Sequence, residues 1–217
     1  MPTLTYHDKI AVLDLGDDEN RFSPEFLDQT GRHLDTVLAD GAHALVTTAS
    51  GKFYSNGLDL DWLSNHGDRA EWYVAQVQAL LARMLTFPLP TAAALPGHAF
   101  GAGAMLAIAH DYRVMRADRG YFCFPEADIR IPFTRGMAAL IQAKLTPKTA
   151  IASMTTGTRF GGTDALARDL VDATADADAV TATAIGMLTP LGVKDQATLG
   201  AIKATMFSDA VAALHNA

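Results

Sequence analysis

Three glycines fall within seven residues of PGHAFGAGAMLAIAHDYRVM (Pro96 to Met115), and a run of apolar residues at helical spacing follows them. Glycine opens backbone conformations closed to other residues and lets a second group approach closely. A turn from strand into helix also exposes N–H groups that have no partner inside the helix and carry partial positive charge. Three uses fit such a turn. Phosphate binding is disfavoured, because Gly97-x3-Gly101-x-Gly103 matches neither G-x-G-x-x-G nor a P-loop ending in Lys-Ser/Thr. The other two are an oxyanion hole for a developing enolate and simple tight packing of helix on strand. A second turn of similar design, ASGKFYSNGLDLDWL (Ala49 to Leu63), leaves another apolar run, crosses Asn56-Gly57 and enters a short helix. Two such turns after two strands of one sheet favour the oxyanion reading. The segment FPEADIRIPF then places a carboxylate, Glu126, among Phe124, Pro125 and Ile129. Apolar neighbours raise a carboxyl pKa toward the value a general base needs.

The remaining polar residues of these segments have plainer readings. Asp59 and Asp61 suit the start of the short helix after Gly57. Asp128 shares the work of Glu126 only where the local backbone aims it inward. His98 reads as a hydrogen-bonded packing residue, and Cys123 as a buried thiol without a histidine partner nearby. Trp62, Leu63 and Phe133 fit either an acyl pocket or ordinary core.

The elements that must hold these residues follow from apolar periodicity. IAVLDLG (Ile10 to Gly16), AHALVTTAS (Ala42 to Ser50) and TAAALPG (Thr91 to Gly97) read as buried strands. Ser23-Pro24 starts a helix carrying Leu27, Leu34, Val37 and Leu38, and a second helix runs through Tyr73, Val77, Leu80, Leu81 and Met84 to the stop at Pro88 and Pro90. YRVMRA is a fourth strand, and a helix runs through Met137, Leu140 and Ile141. Strands alternating with helices imply an α/β fold with a largely parallel sheet. From Thr146 onward the pattern is alanine-rich and helical, which divides the chain into a core, 1–145, and a helical C-terminal region, 146–217, with no linker between independent domains.

The 217 residues carry a net charge of −7, and no segment concentrates basic residues, so nucleic acid is not an expected partner. One cysteine excludes an intramolecular disulfide framework and a cysteine-rich zinc site. No apolar run reaches the ~18 residues of a membrane span. The N-terminus lacks a signal pattern and ALHNA is no peroxisomal address, so a cytoplasmic protein is expected.

Taken together and in this order, FYSNGLDLDWL, PTAAALPGHAFGAGAMLAIAHDYRVM and FPEADIRIPFTRGMAAL resemble the enoyl-CoA hydratase/isomerase (crotonase) superfamily, and most of all its Δ3,Δ2-enoyl-CoA isomerases. The resemblance spans roughly residues 8 to 175. It implies a crotonase-like spiral of ββα units, C-terminal helices that make a homotrimer, and two backbone N–H groups, those of Leu58 and Ala102, that bind the thioester oxygen of an acyl-CoA ester. It also implies a coenzyme A thioester as substrate, with no cofactor and no metal. Lys52 lies where the family approaches the adenosine end of CoA. Of the two glutamates in the family's hydratases, Glu126 matches one, and Met105 stands in the place of the other. Splitting water needs a carboxylate pair, whereas moving a double bond needs one base, so the resemblance points to an isomerase with Glu126 as proton shuttle. A non-catalytic acyl-CoA-binding protein and other enolate reactions (hydrolysis, decarboxylation, hydration) are the alternatives. Arg130 and Arg135 stand where relatives carry small residues, and would narrow the pocket or bind a polar acyl group.

Overall fold

The apolar runs at Ile10, Ala42 and Thr91 lie side by side as parallel strands in the computed structural model, which describes residues 1–216. In chain order the elements are β1 (Thr3–His7), β2 (Ile10–Asp14), α1 (Pro24–Ala39), β3 (Ala44–Thr48), β4 (Phe53–Ser55), α2 (Leu60–Asn65), α3 (Ala70–Leu85), β5 (Thr91–Leu95), β6 (His98–Phe100) and α4 (Ala102–Ala109). There follow β7 (Tyr112–Arg116), β8 (Phe122–Cys123), α5 (Glu126–Ile129), α6 (Arg135–Lys144), α7 (Pro147–Met154), α8 (Gly162–Ala167), β9 (Ala173–Ala175), α9 (Val180–Leu188), α10 (Gln196–Met206) and α11 (Ser208–His215).

The strands form two sheets, where the sequence suggests one. A six-stranded sheet has the order β1-β2-β3-β5-β7-β9, antiparallel at β1–β2 and parallel elsewhere. A small parallel sheet has the order β4-β6-β8. Every residue of β3 and β5 is buried, as expected where a parallel sheet is covered on both faces. On one face Leu13, Leu45, Ala93 and Leu95 join the core of α1, α3 and α4. On the other, Val46, Ala92, Ala94 and Val114 pack on Val180, Ala184 and Leu188 of α9.

The local signals act as expected at α1. Ser23 Oγ accepts the Phe26 N–H at 3.2 Å, Pro24 occupies the first turn, and Leu34 and Val37 are fully buried. The region after Thr146 departs from its all-helical reading. Ala173–Ala175 pair with Val114–Arg116 and complete the large sheet. Three small residues have no periodicity of their own, and β7 supplies the hydrogen bonds that make them a strand.

Three large-sheet strands are each followed by a small-sheet strand and then a helix: β3–β4–α2, β5–β6–α4 and β7–β8–α5. Because the small strands are parallel, their C-terminal ends share one edge, and the chain beyond each end carries the residues of interest.

Candidate active site

Beyond β4 come Asn56, Gly57 and Leu58; beyond β6, Gly101 and Ala102; beyond β8, Phe124, Pro125 and Glu126. Parallel strands commonly gather ligands at their carboxyl ends for this reason. The first two turns touch. Gly57 has φ +79°, and a Cβ there would lie 2.8 Å from both Ala102 N and Phe100 O, so neither conformation nor space admits a side chain. Ser55 Oγ accepts the Gly57 N–H at 3.1 Å, and Gly57 O accepts the Phe22 N–H at 2.8 Å, which ties the turn to the chain entering α1. Gly101 has φ +52°; its N–H reaches Cys123 O at 3.0 Å and its carbonyl accepts the Met105 N–H at 3.0 Å. Among the described residues, neither the Leu58 N–H nor the Ala102 N–H has a protein acceptor.

Leu58, Gly101, Ala102 and Glu126 line one cleft of about 200 Å³. Glu126 is 9% exposed and is the only buried carboxylate among the described residues. Its Oε1 lies 3.5 Å from the position a Cβ would take on Gly101, and its Oε2 is enclosed with no hydrogen-bond partner. Burial lifts its carboxyl to about 7, while its own backbone N–H pulls weakly the other way. The Cys123 thiol also borders the cleft, bonds Gly157 O at 3.3 Å and is pushed up to about 11 by burial. It is the inert thiol the sequence suggests.

Several expected contacts are elsewhere. Lys52 is exposed at the start of β4, with Nζ 5.3 Å from the centre of the Phe53 ring, at the end of the small sheet away from Glu126. Trp62 stacks on His66 at 4.3 Å and does not border the cleft. Phe133 lines a separate groove with Leu145, Ala150 and Met154. Arg130 and Arg135 are exposed and outside the cleft; Arg130 ends α5 in the left-handed conformation, φ +61°. The arginines at the cleft are Arg21, held by Glu19 at 2.5 Å and Asp61 at 3.3 Å, and Arg159, whose guanidinium lies 5.7 Å from the centre of the Phe100 ring. Both were missed. Arg21 lies just before the Ser23 cap and Arg159 within TTGTRFGG, segments whose local pattern announces only a helix start and a break.

Asp59 caps α2 as expected, accepting the Trp62 N–H at 3.0 Å. The Asp128 carboxylate packs against Gly157 and does not border the cleft. His98 departs from its reading as a hydrogen-bonded residue: Nδ1 is enclosed without a partner, and the ring packs among Phe53, Phe100 and Tyr121 at 5.1–5.5 Å. Met105 is 1% exposed, within the core. Among the described residues no group of three His, Cys, Asp or Glu side chains is placed to hold a metal ion. No single helix among them is long and apolar enough to cross a membrane; the bent pair α10–α11 reaches that length and composition only when its two helices are joined across 74°.

A family profile described as enoyl-CoA hydratase/isomerase matches residues 6–217. The chain belongs to this family. Among similar members, Enoyl-CoA delta isomerase 3 of Arabidopsis thaliana is 36% identical over 183 residues, covering 81% of this chain and 77% of its own. The crystal structure of a probable enoyl-CoA hydratase of Mycobacterium tuberculosis superposes with a TM-score of 0.92 at 25% identity, over 99% of this chain and 92% of that one. Human mitochondrial delta3-delta2-enoyl-CoA isomerase shares the fold, with a TM-score of 0.90 at 20% identity over 97% and 84% of the two chains. The enoyl-CoA hydratase/isomerase family therefore supplies the crotonase-like α/β fold and a setting in acyl-CoA chemistry.

Proposed function

We propose that the protein is an enoyl-CoA isomerase that moves a double bond from Δ3 to Δ2 in an acyl-CoA ester. The observation that carries this reading is the solitary buried carboxylate: Glu126 faces a cleft bordered by Leu58 and Ala102, and among the described residues no second carboxylate lines that cleft. The Glu126 carboxylate takes the proton from C2 of the 3-enoyl thioester. The electron pair of the C2–H bond passes into the thioester, and its oxygen gains the charge of a dienolate. The free N–H groups of Leu58 and Ala102 donate to that oxygen, each contributing on the order of 3 kcal/mol. The same carboxyl then returns its proton to C4, leaving the double bond between C2 and C3. Atoms and charge balance without a cofactor or metal. A pKa near 7 suits a group that must first accept and then release a proton at neutral pH. The names of the Arabidopsis relatives agree with isomerisation.

Hydration would require a second carboxylate to orient and split water, and Met105 cannot serve. Purified protein given 3-enoyl-CoA and 2-enoyl-CoA esters of several chain lengths should yield the 2-enoyl isomer, with 3-hydroxyacyl product slower by ~10²-fold or more. Hydration as fast as isomerisation would overturn the assignment, and tight acyl-CoA binding without turnover would replace it with a binding role. We also propose a homotrimer, the assembly the family resemblance implies; the exposed Ile202 and Met206 of α10 support self-association, and light scattering at micromolar concentration checks the stoichiometry.

A further inference from the structure

Helix α4 joins two polar ends through a wholly apolar middle. Its eight residues, about 12 Å of helix, are all buried. The first turn opens on the Glu126 cleft. At the other end the C-cap His110 bonds Ala107 O through its N–H at 3.2 Å, and its Nδ1 meets Leu106 O at 2.8 Å. Nδ1 must carry the proton there, so Nε2 accepts from Thr47 Oγ1 at 2.9 Å, and Thr47 in turn accepts from Tyr54 OH at 2.7 Å. Burial lowers His110 to about 4, which keeps it neutral.

Two cations converge on the His110 carbonyl: Lys144 Nζ donates at 2.9 Å and Arg113 Nη1 at 3.3 Å. They differ in what balances them. Arg113 is paired with Asp172 at 2.9 Å and also donates to Leu170 O at 2.8 Å. Lys144 has no carboxylate within ion-pair distance among the described residues. The charged groups around it are Arg113, Asp111, Asp172 and Lys203, and the Phe207 ring centre lies 5.3 Å from Nζ. Asp111 is itself taken by Lys203 at 2.6 Å. An ammonium drawn out of water without a counter-ion is unfavourable unless another charge offsets it. Asp111 and Asp172 offset part of that charge from beyond contact, and the carbonyl Lys144 holds belongs to the C-cap, whose backbone turns extended (ψ 160°) directly after the last helical residue of α4, so the ammonium sits beside the negative end of the helix.

We propose that Lys144 is a positioning residue for the oxyanion site, which strengthens the Ala102 N–H by cancelling the negative end of α4. This role rests on the assignment of Ala102 as an oxyanion donor. The partial negative charge at the end of a helix opposes the attraction of its N-terminus for an anion. A cation bound there removes that opposition and adds its own field through an interior that screens poorly. Across roughly 12–15 Å the effect on a full oxyanion amounts to about three- to tenfold in rate.

Lys144→Met keeps the length of the apolar stem and deletes the charge; Lys144→Arg keeps the charge. Two readouts apply: kcat and KM for 3-enoyl-CoA between pH 6 and 9.5, and the infrared carbonyl stretch of a bound, isotopically labelled saturated acyl-CoA, which cannot isomerise. Lys144→Met is expected to lower kcat three- to tenfold with KM within twofold, and to move the stretch back toward its free-solution position. Lys144→Arg is expected to restore both. Burial lowers Lys144 to about 8, so the wild type should lose the same factor as pH rises through that value, and Lys144→Arg should not. A Lys144→Met variant with an unchanged carbonyl stretch overturns the proposal. If that variant does not fold, identical alkaline profiles for wild type and Lys144→Arg overturn it instead. A wild-type stretch that is shifted on binding, without any isomerisation, overturns the isomerase reading and leaves this role standing. A wild-type stretch that is not shifted removes the oxyanion assignment and this role with it.

Discussion

The two ends of α4 treat buried charge in opposite ways. Beyond its C-terminus, Lys203 donates to Phe87 O, Leu89 O and Asp111 within 2.6–3.0 Å, and Asp111 also accepts from Thr91 N and Oγ1. This cluster pins α10 to the start of β5. Around its N-terminus, two N–H groups lack acceptors and Glu126 Oε2 lacks a partner among the described residues. Both regions meet the cost of desolvation, and only the first offsets it with internal hydrogen bonds. Under the proposed function, a thioester oxygen would complete the two N–H groups. Buried groups without partners also occur away from the cleft, at Thr30, Gln78 and His98, so what distinguishes the cleft is an unpartnered carboxylate oxygen beside two free N–H groups.

The strongest way to break this contrast is Glu126→Gln, which keeps size and hydrogen bonding but removes the proton acceptor. Turnover should fall by ~10³-fold, while acyl-CoA affinity, measured by calorimetry, stays within a few-fold. Unchanged turnover would show that another base acts, with Asp128 the next candidate. At the structural end, Lys203→Met leaves Asp111 without its ammonium and should cost about 3 kcal/mol in denaturant unfolding. The kcat of the molecules that remain folded should be unchanged, and a loss of kcat without loss of stability would refute the division of roles.

A smaller effect separates the same two regions by pH. The Glu126 carboxyl is raised above its ordinary value by burial, so the folded state favours its protonated form. Its contribution to stability is full below the unfolded value and is lost as pH rises through about 7. Glu126→Gln, which stays neutral, should therefore be more stable than wild type at pH 8 by on the order of 2 kcal/mol, and the gain should nearly vanish at about pH 4, below the unfolded value. Thermal unfolding at the two pH values measures the difference. The smallest expected change is that of Asp128→Asn, with activity within twofold of wild type, because its carboxylate packs on Gly157 outside the cleft.

Much of this is legible in short windows of sequence. The strands at Ile10, Ala44 and Thr91, the Ser23-Pro24 helix start and the apolar face of α3 follow from periodicity and capping, which act within about ten residues. The turns at Gly57 and Gly101 are legible too, because a positive φ calls for glycine wherever the rest of the chain goes. Glu126 stands out for the same local reason: its neighbours are apolar. Long-range pairing decided the remainder. β4, β6, β8 and β9 are two or three residues each and become strands only through hydrogen bonds to partners up to 59 positions away. The second sheet, built by β4, β6 and β8, turns Lys52 to the far end and leaves Trp62 and Phe133 beside other surfaces, while Arg159 arrives at the cleft from beyond α7. Desolvation is likewise a property of everything packed around a group. The sequence by itself named the carboxylate, and only the tertiary structure, by closing β6, β8 and α4 around it, enclosed one of its oxygens without a protein partner and raised its pKa to about 7.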